Sequence, residues 1–279
     1  MHILDDPCLS PRVATLLARA RRGSEMPADR IRALARAETS DGNEAAVPPG
    51  AIEAMIRFEE RYGGLWYPLL GPNGMEHGLD GEATVYLDID IDGWTFPGIL
   101  DGDQTWRVDV LPDGRTAMTL AGRPRIINSS VLQRLEAHAQ LSQVRDWPHV
   151  AFAVATEPGQ EPTVAEAGLP ALDVEATGPA DRWWVGSETA IHLKLHEWWG
   201  EEDIWLARCF AERAENLATR VDALRHAVTG GVWRNEDWCG LCAHVRKPAQ
   251  ACLPDAGKQS SRPRRSSPHQ GGGLTAERH

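Results

Sequence analysis

The chain has 279 residues, of which 42% are hydrophobic and 25% are charged, a composition that can bury the core of one large or two small domains. Between residues 41 and 244 there are 33 acidic and 15 basic residues, a net charge of −18, within a total of −11. The electrostatic field of this negative charge repels nucleic acid and membrane surfaces and would attract a basic protein. Solubility alone also explains an acidic surface.

The first residues, Met1–Val13, contain no basic segment followed by an apolar stretch, so no secretory signal is predicted. No apolar run reaches the length needed to cross a bilayer. The five cysteines are odd in number and clustered late, which argues against a disulfide framework. We therefore expect a cytoplasmic protein that does not bind membranes or nucleic acid.

Residues 1–44 are predicted to form an N-terminal helical segment and a linker. Ser10 followed by Pro11 is a good helix start, because serine caps the helix and proline is tolerated in the first turn. A second helical stretch covers residues 28–37, and "ETSDGNEAAVPPG" then predicts the linker. Whether this segment packs on the rest of the chain or only leads into it stays open.

Residues 45–230 are predicted to form an α+β domain with a small, mostly antiparallel sheet flanked by helices. The first helix, Ala51–Gly64, has apolar residues at helical spacing and ends in two glycines. A later helix, Ser129–Ala139, begins with a capping box of Ser130 and Gln133. The strands predicted between these helices are Ala83–Ile91, Phe96–Leu100 and a hairpin of Thr105–Leu111 and Arg115–Leu120.

Beyond these elements, the sequence predicts a strand at His149–Ala155 and two more strands in "RWWVG" and "TAIHLKLHEWW". A three–four spacing of apolar residues from Ile204 to Val228 predicts a helix of seven turns. Residues 231–279 are predicted to be a disordered tail, because their Pro, Ser, Arg and Gly content cannot bury enough apolar surface.

Three groups of residues have side chains that could bind a metal ion. Asp88, Asp90 and Asp92 resemble the start of a calcium loop, but Ile99 stands where the loop needs glutamate. His192 and His196 lie on a predicted strand, where four residues separate them by roughly 13 Å, too far for one ion. A cluster near the C-terminus has the spacing of a weak zinc knuckle, for which free thiols are the preferred interpretation; it consists of Cys239, Cys242, His244 and Cys252.

Catalytic signals are weak along the whole sequence. Ser129 and Ser130 are better explained as helix caps, and Cys209 as a small hydrophobic residue of the predicted long helix. No G-x-S-x-G sequence and no phosphate-binding glycine loop occurs. Among the eleven tryptophans, adjacent pairs such as Trp183 and Trp184 must point to opposite faces of a strand, so one of each pair is expected outside or under a loop.

The order of elements from Val47 to Val144 resembles the SUKH superfamily, the Smi/Knr-type immunity proteins. The residues that carry the resemblance are "VPPGAIEAMIRFEERYGG", the hairpin "WRVDVLPDGR" and the Ser-capped helix "INSSVLQRLEAHAQL". The chain departs from the family in its N-terminal helices and its basic tail. The resemblance implies a binding protein that lacks catalytic residues and cofactors; many bacterial members neutralise a cognate toxin, often a nuclease, by tight binding.

We therefore predict a non-catalytic protein whose acidic surface binds a basic protein partner, a toxin domain by the resemblance. The predicted contact residues are Asp88, Asp90, Asp92, Asp101 and Asp103, with Trp94 as the nearest aromatic anchor. Two alternatives stay open: a hydrolase-like enzyme whose Asp and His side chains meet only in the fold, and a regulatory scaffold that acts through its tail.

Overall fold

The computed structural model describes residues 1–39, 42–67, 69, 77–78, 84–87, 93–100, 107–120, 123–154, 163–164, 168–195, 205–229 and 239–241. After a short 3-10 turn at Ile3–Asp5, the helices of this described part are α1 (Pro11–Leu17), α2 (Ala28–Leu34), α3 (Ala51–Tyr62), α4 (Val131–Val144) and α5 (Ala214–Ala227).

The strands in the first half of the chain are β1 (Arg21–Arg22), β2 (Arg36–Thr39), β3 (Glu44–Ala45), β4 (Leu65–Tyr67), β5 (His77–Gly78), β6 (Thr84–Leu87), β7 (Trp94–Leu100), β8 (Arg107–Val110), β9 (Thr116–Leu120) and β10 (Arg123–Asn128). Those in the second half are β11 (His149–Val154), β12 (Thr163–Val164), β13 (Ala171–Leu172), β14 (Asp181–Val185), β15 (Thr189–Leu195), β16 (Trp205–Ala211), β17 (Val228–Thr229) and β18 (Cys239–Leu241).

Two sheets form the body of the protein. The first sheet has seven strands in the order β10-β9-β8-β7-β6-β2-β3, and the second has six in the order β13-β14-β15-β16-β11-β18. Two small sheets, β1-β4-β5 and β12-β17, complete the described strands. The prediction of an α+β fold with mostly antiparallel strands is confirmed. One hydrophobic core contains residues of both large sheets.

The N-terminal segment is built into this fold. Strand β2 pairs in parallel with β6 inside the first sheet, and β1 pairs with β4. The predicted domain boundary at residues 44 and 45 therefore cuts through the first sheet, and residues 36–39 and 44–45 form strands where helix or linker was expected. Helix α1 packs on α4, with its Ser10 cap formed as predicted.

The predicted helix from Ala51 and the two helix caps are confirmed by their contacts. Helix α3 buries Met55 and Phe58, and the ring of Phe58 meets that of Phe96 in β7 edge to face, with centroids 5.5 Å apart. At the start of α4 the Ser130 hydroxyl accepts from the backbone N–H of Gln133 at 3.0 Å, as a capping box predicts. The hairpin of β8 and β9 is also present, with Asp109 opposite Ala117.

Helix α4 is covered on nearly all sides. Every residue from 133 to 141 is buried, although several are polar or charged: Gln133, Arg134, Glu136, His138 and Gln140. Burial of such groups is costly unless they find partners, so each polar side chain of α4 has to be bonded inside the protein.

The predicted seven-turn helix from Ile204 to Val228 is wrong in its first half. Residues Trp205–Ala211 form β16, which lies between β15 and β11, and the helix begins only at Ala214. The cause is that β16 is buried on both faces, so its apolar residues do not alternate and also fit a helical spacing. Cys209 is correspondingly a fully buried strand residue.

One tryptophan of each adjacent pair was expected to face outward or to lie under a loop, and for Trp183 and Trp184 the outward alternative is wrong. Both are in β14, and they are 0% and 2% exposed. Since neighbouring residues of a strand point to opposite faces, both faces of the second sheet are covered at this position. The strands predicted at His149–Ala155, "RWWVG" and "TAIHLKLHEWW" are present as β11, β14 and β15; Ala155 and residues 196–199 lie outside the described residues.

Candidate functional site

The five aspartates of the predicted contact site, Asp88, Asp90, Asp92, Asp101 and Asp103, lie outside the described residues. Trp94 is described, and it is only 9% exposed, with its ring stacked on Phe96 at 6.4 Å between centroids. It therefore belongs to the core, and the prediction of an outward aromatic anchor at this position is wrong.

The residues that flank the two acidic segments show how these segments are attached to the first sheet. Leu87 and Trp94, on either side of residues 88–92, pair with each other at one end of β7. Leu100 and Arg107, on either side of residues 101–106, pair at the other end of β7. A seven-residue strand is roughly 20 Å long, so the attachment points of the two segments are that far apart.

Asp181 and His192 form a buried pair of titratable side chains. Nε2 of His192 lies 2.7 Å from Oδ1 of Asp181, and the two side chains are 5% and 2% exposed, respectively. The pair results from the β14–β15 hairpin, in which Trp183 lies opposite His192 and Asp181 is diagonal to it. The Trp183 ring stacks on the imidazole with centroids 3.9 Å apart.

Burial determines the charge state of this pair. It lowers the pKa of His192 to about 4, against the opposing effect of Asp181, so the imidazole is neutral at neutral pH. Burial also opposes ionisation of Asp181, but the electrostatic interaction and hydrogen bond with His192, together with the charges of Lys194 and Arg134, outweigh it and hold the pKa of Asp181 below its usual value. A neutral imidazole that donates through Nε2 to an ionised carboxylate is consistent with both directions.

Asp181 and His192 belong to a larger polar group that crosses from one sheet to the other. Asn128, at the end of β10, accepts through Oδ1 from the Thr116 hydroxyl at 2.9 Å and from Arg134 at 3.2 Å. The charge of Arg134 in turn acts on Asp181. We call Asn128, Arg134, Asp181 and His192 the inter-sheet junction.

Backbone contacts hold the same region together. The backbone N–H of Ala180 donates to the carbonyl of Ile127 at 3.1 Å, and the Gln133 side chain donates to the carbonyl of Ala176 at 2.8 Å. Gly178 lies so close that an added Cβ would come within 2.8 Å of the Ile127 carbonyl and would also collide with the Gln133 side chain. The connection before β14 is therefore fitted tightly against β10 and the start of α4.

Two further polar groups fix α4 on its other sides. Arg12 of α1 forms ion pairs with Glu136 and Asp173 and donates to the Gln140 side chain at 3.3 Å. The Tyr67 hydroxyl lies 2.7 Å from Nδ1 of His138, and both side chains are buried. The polar groups of α4 are thus used to hold the surrounding layers.

The other residues that were weighed as metal ligands are mostly outside the described part, namely Asp88, Asp90, Asp92, His196, Cys242, His244 and Cys252. Cys239 lies in β18, and His192 is in the inter-sheet junction. Among the described residues, no three His, Cys, Asp or Glu side chains come together as a metal-ion site would require. The helices of this part include none long and apolar enough to span a membrane.

Sequence reasoning missed the Asp181–His192 pair, although part of its signal was present. The two predicted strands around Gly186 and Ser187 indicate a hairpin, and its register would have brought Asp181 near His192. No local pattern could have indicated Arg134, because it comes from a helix that precedes the hairpin by about 50 residues.

Comparison with known proteins gives no match to this chain among family models, curated proteins or solved structures. The resemblance to the SUKH superfamily therefore stays a prediction from the sequence.

Proposed function

We propose that this chain is a non-catalytic binding protein that holds a basic protein partner against acidic segments of its surface. By the resemblance to SUKH immunity proteins, the partner is a toxin domain, and a nuclease is the first class to test. The proposal rests on the distribution of charge along the chain, with a net charge of −18 between residues 41 and 244.

That distribution is uneven. Of the 40 acidic residues of the chain, 33 lie between residues 41 and 244, where only 15 of the 29 basic residues are found. The central part of the chain is thus strongly acidic, whereas residues 1–40 and 245–279 carry a small excess of basic residues. Local excess of one charge raises the rate at which an oppositely charged partner associates, and it discriminates against acidic ones.

The buried polar groups are consistent with a binding role. His192, Arg134 and His138 are 4%, 2% and 5% exposed, and their side chains contact other core residues. Groups of this kind hold the layers of a scaffold in place, and a rigid scaffold lowers the entropic cost of binding. The contact residues that we propose are Asp88, Asp90 and Asp92, which precede β7 in the sequence, and Asp101 and Asp103, which follow it.

Co-purification tests the proposal. The full chain is co-expressed with the product of the neighbouring reading frame, a nuclease-inactivated form if that product contains a nuclease-like module. We expect a stoichiometric complex that weakens as salt is raised, because exposed charges are screened. Failure to form a complex, or a complex that is indifferent to salt, contradicts the proposal.

One observation favours an enzyme as the second candidate. Nδ1 of His192 has no hydrogen-bond partner in the described part, and the carboxylate at Nε2 would orient the ring as a general base requires. Turnover of p-nitrophenyl acetate or bis-p-nitrophenyl phosphate by the full chain, lost in a folded His192→Gln variant, would support this candidate. Equal background rates for the two proteins would contradict it.

A further inference from the structure

The inter-sheet junction connects three layers of the molecule through side chains that are far apart in sequence. Asn128 belongs to the first sheet, Arg134 to α4, and Asp181 and His192 to the second sheet. All four side chains are buried. A change of charge at any of them would act on contacts that hold the two sheets together.

Burial is the main reason that protonation of His192 is unfavourable in the closed structure; the charges of Arg208 and Lys194 add to this effect, whereas Asp181 opposes it. Among the described residues, Asp181 faces it from β14, Arg208 from β16 and Lys194 from its own strand, and Arg134 approaches the same carboxylate from α4. A protonated imidazole would therefore be a third cation acting on the Asp181 carboxylate, beside Lys194 and Arg134, in a place removed from water. The stacked Trp183 ring would stabilise the cation, but only weakly in comparison.

We propose that the inter-sheet junction is an acid-sensitive lock. At neutral pH the neutral His192 ring is bonded to Asp181 and the junction is closed. When the medium becomes acidic, a proton is taken up at Nδ1 of His192, and the junction opens because the closed arrangement holds the cation poorly. The segments expected to loosen are those that meet at the junction: β10, the first half of α4, β14 and β15.

The direction of the effect follows from the lowered pKa of His192. An open junction lets the imidazole take up its proton at its ordinary pKa of 6.5, whereas the closed one requires a pH near 4. The equilibrium constant for opening of the junction, the opening constant, is therefore unaffected well above pH 6.5 and rises as the pH falls toward 4. Between about pH 7 and about pH 5 the difference in pKa predicts a rise of roughly twenty-fold.

Hydrogen exchange of the full chain tests the lock. Exchange is followed by mass spectrometry at about pH 7 and about pH 5, and the rates are corrected for the intrinsic pH dependence of amide exchange. The wild type is compared with His192→Gln, whose side-chain amide can still donate to Asp181. In the wild type we expect the roughly twenty-fold rise in the opening constant to be seen in peptides from β14, β15 and the first half of α4. In His192→Gln the opening constant of the same peptides should change by less than about twofold. His149→Asn, a substitution at the half-buried start of β11, serves as the matched control and should behave as the wild type does.

An equal rise in the wild type and in His192→Gln would overturn the proposal, as would no rise in the wild type. If His192→Gln does not fold, the Cε1–H resonance of His192 in the wild type gives a second measurement. A titration midpoint well below 6.5, accompanied by faster exchange at the junction, supports the lock. A midpoint near 6.5 with unchanged exchange overturns it.

Discussion

Arg12 and Asp173 are 161 positions apart, and they form a bidentate ion pair that connects the first helix to the segment before β14. One of its two hydrogen bonds, from Nη2 of Arg12 to Oδ1 of Asp173, is 3.0 Å long. The same guanidinium reaches Glu136 of α4, so one side chain of the N-terminal segment joins three parts of the fold. The fork geometry of arginine suits this role, because it donates to several acceptors in one plane.

The first prediction concerns this guanidinium. Replacing Arg12 by alanine should lower the free energy of unfolding by about 3 kcal/mol, because Glu136 and Asp173, which are 10% and 14% exposed, would lose their partner. Urea denaturation measures the change. Arg19→Ala is the matched control, since Arg19 is exposed just beyond α1 and its loss should cost less than about 0.5 kcal/mol. Equal effects of the two substitutions would show that the Arg12 cluster does not fasten the segment.

The second prediction concerns the close packing at Gly178. Substitution by alanine should destabilise the protein by about 2 kcal/mol, because the new methyl group meets the backbone carbonyl of Ile127, which cannot easily move. Thermal and urea unfolding measure the cost. Gly23→Ala is the control: its methyl group would lie 3.4 Å from the Gly64 carbonyl, an ordinary contact. A Gly178→Ala protein as stable as Gly23→Ala would contradict the tight fit.

These contacts show which parts of the structure were within reach of sequence reasoning. Helices with caps and one apolar face, such as α3 and α4, were predicted because their signals are local. The strand β16 was not, since burial on both faces removes the alternation that identifies a strand. The strand at Arg36–Thr39 was missed for a different reason: its pairing with β6 is set by residues almost 50 positions away.

The polar groups of the candidate site were harder to predict than the fold. The capping role of Ser130 could be predicted from its neighbours, whereas the partners of Arg12 and Arg134 depend on how helices and sheets pack. Trp94 was placed at the surface because acidic residues precede it, yet the strand turns its ring toward Phe96 and the core. Composition gives no information on which face of a strand is covered.

The third prediction is an acid dependence of global stability. The pKa of His192 is lowered from 6.5 to about 4, so the unfolded chain binds this proton more readily than the folded one. The free energy of unfolding should therefore be unaffected above pH 6.5 and fall by up to roughly 3 kcal/mol as the pH drops toward 4. Urea titrations at a series of pH values measure this profile.

In His192→Gln the same profile should be flatter across that interval, because the titrating ring is absent. His149→Asn should retain the wild-type slope. Parallel profiles for His192→Gln and the wild type would mean that other groups cause the acid dependence.

The fourth prediction separates the proposed binding role from a scaffold that acts through its tail. Deletion of residues 247–279 should leave the affinity for the co-purified partner within about threefold, since the proposed contacts lie in the segments that precede and follow β7 in the sequence and not in the tail. The tail is mildly basic, so a modest change of rate in either direction is compatible with the proposal. Complete loss of binding on deletion would transfer the function to the tail.

The fifth prediction tests the central claim, that acidic segments of this chain capture a basic protein. Stopped-flow association with the co-purified partner is measured for the wild type, Asp88→Lys/Asp90→Lys/Asp92→Lys, Asp101→Lys/Asp103→Lys, and a control, Glu53→Lys/Glu60→Lys. The control reverses two exposed carboxylates of α3, the same change of net charge as in the second variant. We expect each segment variant to associate at least about tenfold more slowly than the control and to lose most of the salt dependence. Rates for the two segment variants that equal the control rate would contradict the claim.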